Sequence, residues 1–96
     1  MSTGNRFSSR YLNFTWVNAE DNRHAISCAK RHLRRAVDRN YFKRINRVQA
    51  NEKLTQDPPI HLLVASRQAI AKVPRENLNH IVDRAWQAFL KQSSAA

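Results

Sequence analysis

The sequence predicts a mainly α fold, a small helical domain of three to four helices with an N-terminal extended arm or short strand. Three observations predict it. The 96 residues contain one glycine, Gly4, so the left-handed turns on which many-stranded hairpin proteins lean are scarce. Apolar residues recur three and four positions apart in two long stretches, as one buried helix face requires. Pro58-Pro59 and Pro74 sit where a helix can begin but cannot continue.

Taken in order, residues 1–10 read as a flexible N-terminal tail, 11–92 as a single helical domain and 93–96 as a frayed end. Tyr11 to Val17 is the one stretch with strand character, with Leu12, Phe14 and Trp16 on one side of the pleat and Tyr11, Asn13, Thr15 and Val17 on the other. A lone strand needs a partner, and pairing across a homodimer would supply one. Asn18 can cap a helix whose first turn holds Glu20 and Asp21. Ile26, Ala29, Leu33 and Val37 form its apolar stripe, and Tyr41, Ile45 and Val48 continue it about 60 to 100° further round, with Phe42 facing away. One long or kinked helix is favoured over a break near Arg39-Asn40. Asp57 and Pro58 then start a new helix. From Ile60 to Val73 it is apolar round most of its circumference, which suits the centre of a core. Leu78, Ile81, Val82, Ala85, Trp86 and Phe89 give the most regular amphipathic pattern, a last helix from about Arg75 to Lys91.

Seventeen Lys and Arg face seven Asp and Glu, a formal net charge of +10, while 42% of the residues are hydrophobic. That hydrophobic share is enough for a folded domain, and the length suits one domain and excludes a large multi-domain enzyme. A single cysteine, Cys28, cannot form an internal disulfide and fits a reducing compartment, so a cytoplasmic protein is expected. No secretory h-region is visible. The longest apolar run, Ile60 to Ala65, is interrupted by His61 and falls far short of the ~20 residues that span a membrane.

The charge is concentrated. Residues 30–47 hold Lys30, Arg31, Arg34, Arg35, Arg39, Lys43, Arg44 and Arg47 against Asp38 alone, a net of +7 in 18 residues. Six of the eight are Arg, whose planar fork suits bidentate contact with phosphate. A solvated helix face usually mixes signs, and this one does not. Such a segment can track a phosphate backbone, and Tyr41 and Phe42 beside it could stack on unpaired bases. Helix-turn-helix, zinc-finger, RRM and KH signatures are absent, so base-specific reading has no support in the sequence.

His24, Cys28 and His32 lie four residues apart. On a helix two such residues could ligate zinc, yet the surrounding cations would repel it, and the residues read as ordinary polar positions with no metal. Neither paired carboxylates, nor a nucleophile with its base, nor a phosphate-cradling glycine loop is present, so no catalytic residue and no cofactor is expected. Trp86, Phe89 and Leu90 read first as core and second as a protein interface through which a dimer could form. The function expected from sequence is therefore a small non-enzymatic nucleic-acid-binding protein, for DNA or RNA, whose basic helix contacts backbone phosphates. The alternative is a small adaptor or inhibitor, a phage- or plasmid-like accessory factor, that docks the same arginines on an acidic surface of a larger protein such as a nucleic-acid enzyme.

Overall fold

The computed structural model describes residues 5–54 and 59–94. The chain order is β1 (Asn5–Ser8), β2 (Leu12–Asn18), β3 (Arg23–Ser27), α1 (Ala36–Lys53), β4 (Ile60–Ser66), a 3-10 turn (Gln68–Lys72) and α2 (Arg75–Ser94). The four strands form one sheet in the order β1-β2-β4-β3, in which β3 and β4 are parallel and the other pairs antiparallel. The expectation of a mainly α domain is therefore wrong: the described residues form an α/β fold with two α-helices on a four-stranded sheet.

Three physical reasons account for the difference. The shortage of glycine forbids little here, because only β1 and β2 are joined by a tight hairpin. Ser9 builds that turn: its N–H donates to the Leu12 carbonyl at 2.8 Å, and its Oγ accepts the Leu12 N–H at 3.1 Å. The run from Ile60 to Ser66, expected as a central helix, is a central strand whose exposure alternates, with Ile60, Leu62, Val64 and Ser66 buried and His61 and Leu63 exposed. Short apolar runs fit either element by pattern alone. Lastly, Arg23 to Ser27 is drawn into parallel pairing along β4 from His61 to Ala65, so the helix expected from Asn18 starts only at Ala36. A parallel pair needs a long crossover, and α1 is that crossover.

Residues 5–8, expected in the tail, are the edge strand β1. The strand expected near Tyr11 to Val17 is β2, which has β1 on one side and β4 on the other; the unpaired edge that suggested a homodimer does not exist. The helix start expected at Asp57 and Pro58 lies outside the described residues.

Leu12, Phe14, Leu62, Val64, Phe42, Ile45, Leu78, Val82, Trp86 and Phe89 belong to one buried cluster, so both helices cover the same sheet face. Phe14 stacks on Phe89 at 4.6 Å between centroids, and Trp86 meets Phe14 edge-on at 5.4 Å. Trp86 and Phe89 are fully buried, which places these two interface candidates in the core, while Leu90 is half-buried at its edge. The helices are joined by polar contacts as well. Trp86 Nε1 donates to Asn46 Oδ1 at 3.0 Å, and Lys53 Nζ and Gln49 Nε2 reach Asp83 Oδ1 at 3.0 and 3.1 Å. Among the described residues the opposite sheet face carries no helix, and Val17 and Leu63 stand exposed on it.

Candidate nucleic-acid interface

The basic segment is not one helix face. Lys30, Arg31, Arg34 and Arg35 lie on the connection between β3 and α1, and Arg39, Lys43, Arg44 and Arg47 on α1 itself. Leu33 is buried and anchors the connection between its charges. Ser66, at the end of β4, holds the other side: its Oγ lies 2.7 Å from His32 Nδ1 and accepts the Ala29 N–H at 3.3 Å. Arg39 Nη1 donates to the carbonyls of Leu33 and Arg34 at 2.9 and 2.8 Å. Arg39 thus spends part of its fork on shaping the connection, and the four cations around it are presented from a fixed backbone.

The first turn of α1 adds to the positive field. Arg35 occupies the N-cap in extended conformation, and no side chain caps the free N–H groups behind it. Unsatisfied N–H groups and the positive dipole end attract anions, and a cation there costs stability unless an anion offsets it. Asp38, the one acid in the segment, faces Arg75 of α2 at 3.8 Å. Among the described residues none of the eight basic side chains has a carboxylate partner. Arg44 and Arg47 are exposed, whereas Arg39 and Lys43 are half-buried on the flank nearer β3. Burial pushes the Cys28 thiol up, with a Ser66 hydrogen bond and the charges of Lys43 and Arg39 opposing the rise. The His32 ring is held below its ordinary value, first by burial and then by Arg31.

The aromatic candidates separate. Phe42 is completely buried and offers no ring to a base, a correction to the stacking expected of it; Tyr41 is half-buried, with the Arg75 guanidinium 5.1 Å above its ring. His24 lies on β3, so the helical spacing behind the zinc idea does not exist, and among the described residues no three metal-ligating side chains come together.

Two surfaces escaped the sequence. One is a hollow of about 400 Å³ on the open sheet face, lined among others by Thr15, Val17, His61 and Leu63. At its rim Asp21 bonds both Arg23, at 2.8 Å, and His61, at 3.1 Å, and these two bonds hold its carboxyl below the ordinary range. Alternation of His61, Leu63 and Ala65 was the signal, hidden because these outward residues are mostly apolar. The other surface is a groove of about 360 Å³ beside the 3-10 turn, lined by Arg10, Tyr11, Gln68, Ala69, Lys72 and Val73. No pattern along the chain joins its two halves.

Among solved structures the fold is similar to the RNase P protein of Staphylococcus aureus, with a TM-score of 0.71, 19% identity, and 88% of this chain and 80% of that one covered. The RNase P protein of Thermotoga maritima is similar at a TM-score of 0.62 and 19% identity, covering 85% and 84% of the two chains. At sequence level the chain is 29% identical over 66 residues to the Ribonuclease P protein component of Pasteurella multocida, covering 69% of this chain and 56% of that protein. It is 28% identical over 74 residues to the component of the same name from Histophilus somni, covering 77% and 62%. The chain therefore spans less than two thirds of the length of these relatives.

The family model described as Ribonuclease P matches residues 1–90. A nucleic-acid partner accords with that match, but the expectation of a non-enzymatic protein does not survive it, since the relatives are named as components of a ribonuclease. DNA binding and the adaptor, inhibitor or accessory roles find no counterpart among them. Sheet, helices and family model agree, and the chain belongs to the Ribonuclease P family.

Proposed function

We propose that this chain is an RNA-binding protein component of a ribonuclease, and that it holds RNA through Lys30, Arg31, Arg34, Arg35, Arg39, Lys43, Arg44 and Arg47. The observation that carries the reading is a cationic surface of one sign, fixed by Ser66 and Arg39 and free of carboxylate partners among the described residues. RNA is favoured over DNA because the relatives are named for a ribonuclease. Within the surface the roles differ. Arg34, Arg35, Arg44 and Arg47 are exposed and contact phosphates, whereas Arg39 orders the connection that displays Arg34 and Arg35.

Fluorescence anisotropy with labelled RNA over a salt series tests this. Each phosphate neutralised on a single strand contributes about 0.7 to the slope of log affinity against log salt. Arg34→Glu/Arg35→Glu should weaken binding and flatten that slope by about 1.4. Unchanged affinity and slope would remove this face as the site.

A further inference from the structure

The groove beside the 3-10 turn brings together residues from two distant parts of the chain. Arg10 and Tyr11 come from the β1–β2 turn, and Gln68 and Lys72 from the turn after β4. Its walls are fixed. The Arg67 N–H donates to the Tyr11 carbonyl at 2.9 Å, and Arg67 Nη1 donates to the Ser9 carbonyl at 2.7 Å. Beneath it Ile70 is completely buried, with its N–H on the Arg67 carbonyl and its own carbonyl accepting the Val73 N–H.

The chemistry of the lining is selective. None of the lining residues is acidic, and neither Arg10 nor Lys72 has a carboxylate partner among the described residues. The Arg10 guanidinium sits 5.7 Å from the centroid of the Tyr11 ring, so the Tyr11 ring, which can stack on a base, lies beside two cations, Arg10 and Lys72, that can take phosphate. Gln68 adds an amide that can both donate and accept. The volume, about 360 Å³, falls at the small end of ligand sites, which run from roughly 300 to 1,000 Å³. A single nucleotide is a ligand of that scale and composition.

Position links the groove to the basic segment. Ser66, one residue before Arg67, is the same side chain that holds His32 and Ala29. In the sheet β4 stands between β2 and β3, so the turn entering β2 and the connection leaving β3 flank the end of β4, two strand spacings or about 10 Å apart. A stacked strand carries one charge per ~3.4 Å, so about three phosphates cover that distance. We infer that the groove formed by Arg10, Tyr11, Gln68 and Lys72 is a nucleotide-binding subsite for an unpaired stretch of nucleic acid, whose neighbouring phosphates lie on the basic segment. The inference rests on the RNA-binding reading of that segment.

The test uses the full chain and a labelled 12-nucleotide oligouridine beside an RNA duplex of equal length. Arg10→Gln/Lys72→Gln should flatten the single-strand salt slope by about 1.4 and leave the duplex slope unchanged. Tyr11→Leu should weaken single-strand binding about fivefold or more without altering the slope, and Tyr11→Phe should restore it. Thermal melting of each variant separates loss of the site from loss of the fold. Arg34→Glu/Arg35→Glu, run in parallel, reports on the basic segment alone. If that variant weakens binding while the groove variants do not, the segment stands and the subsite is refuted. Should the groove variants act and the segment variant stay silent, the subsite stands and the reading of the segment falls. A loss of slope with no effect of Tyr11→Leu, or an equal loss on duplex, also overturns the assignment to an unpaired nucleotide.

Discussion

Asn46 and Trp86 supply the sharpest test of how α1 is held. Both side chains are completely buried. Asn46 Oδ1 accepts the Trp86 indole N–H at 3.0 Å, and Asn46 Nδ2 donates to the Phe42 carbonyl one turn back at 2.8 Å. Asn46→Ala leaves the indole N–H buried without an acceptor, which costs about 1–3 kcal/mol, and the space vacated by the carboxamide adds about 1 kcal/mol. The total is roughly 2–4 kcal/mol. At about 4 °C per kcal/mol for a domain near 100 residues, Tm should fall by roughly 8–16 °C. A double-mutant cycle read by urea unfolding isolates the bond. Asn46→Leu and Trp86→Phe each strand one partner, whereas the double variant strands neither, so it should be more stable than the sum of the two losses implies by about 1 kcal/mol or more. Additivity within about 0.5 kcal/mol would show that the indole is satisfied some other way and refute the assignment.

Two further predictions follow from titrating groups. Burial and Arg31 hold the His32 ring below its ordinary value of 6.5, so its neutral form is favoured by folding; that stability is complete above about pH 6.5 and is lost as pH falls through the lowered value. Urea midpoints between pH 5 and pH 8 should therefore decline on the acid side, and less steeply in His32→Asn. Asp83 lies below its ordinary value of 3.8, chiefly through the Lys53 hydrogen bond, so its contribution is present above that value and lost in stronger acid. Because its side chain is 38% exposed, screening limits the effect of Asp83→Asn at pH 7 to about 1 kcal/mol or less, which chemical denaturation can check.

What the sequence revealed and what it hid divide along physical lines. α2 was legible because Leu78, Val82, Ala85, Trp86 and Phe89 are apolar at helical spacing and all are buried. The seam of α1 was not, because two of its five buried residues, Asn46 and Gln49, are polar, while Val48, which appeared to continue the stripe, is 47% exposed. Their partners, Trp86 and Asp83, lie on another helix and cannot be seen from local spacing. β4 failed for the opposite reason, since an apolar outward residue such as Leu63 erases the alternation that marks a strand. The charge cluster needed no fold to be seen. Its division between a connection and a helix did need one, as did the groove, whose two cations, Arg10 and Lys72, lie far apart in the sequence.

That division bears on how the basic segment works. Eight cations on one free helix would repel one another and fray its start, where the dipole already disfavours them. Here the load is split. Four precede the helix on a connection tied to β4 through Ser66 and closed by Arg39, and the four on α1 include two half-buried against the rest of the fold. The buried Asn46–Trp86 bond and the Asp83 contacts of Gln49 and Lys53 fasten the helix from its far side. Repulsion that would melt an isolated segment is thus opposed by contacts made on other elements, and an anion reaching the surface finds the cations already in place. Ordering entropy that a disordered basic arm would lose on binding is lost at folding instead. It follows that a variant which loosens the connection, such as Ser66→Ala, should weaken RNA binding while leaving every cation in the sequence.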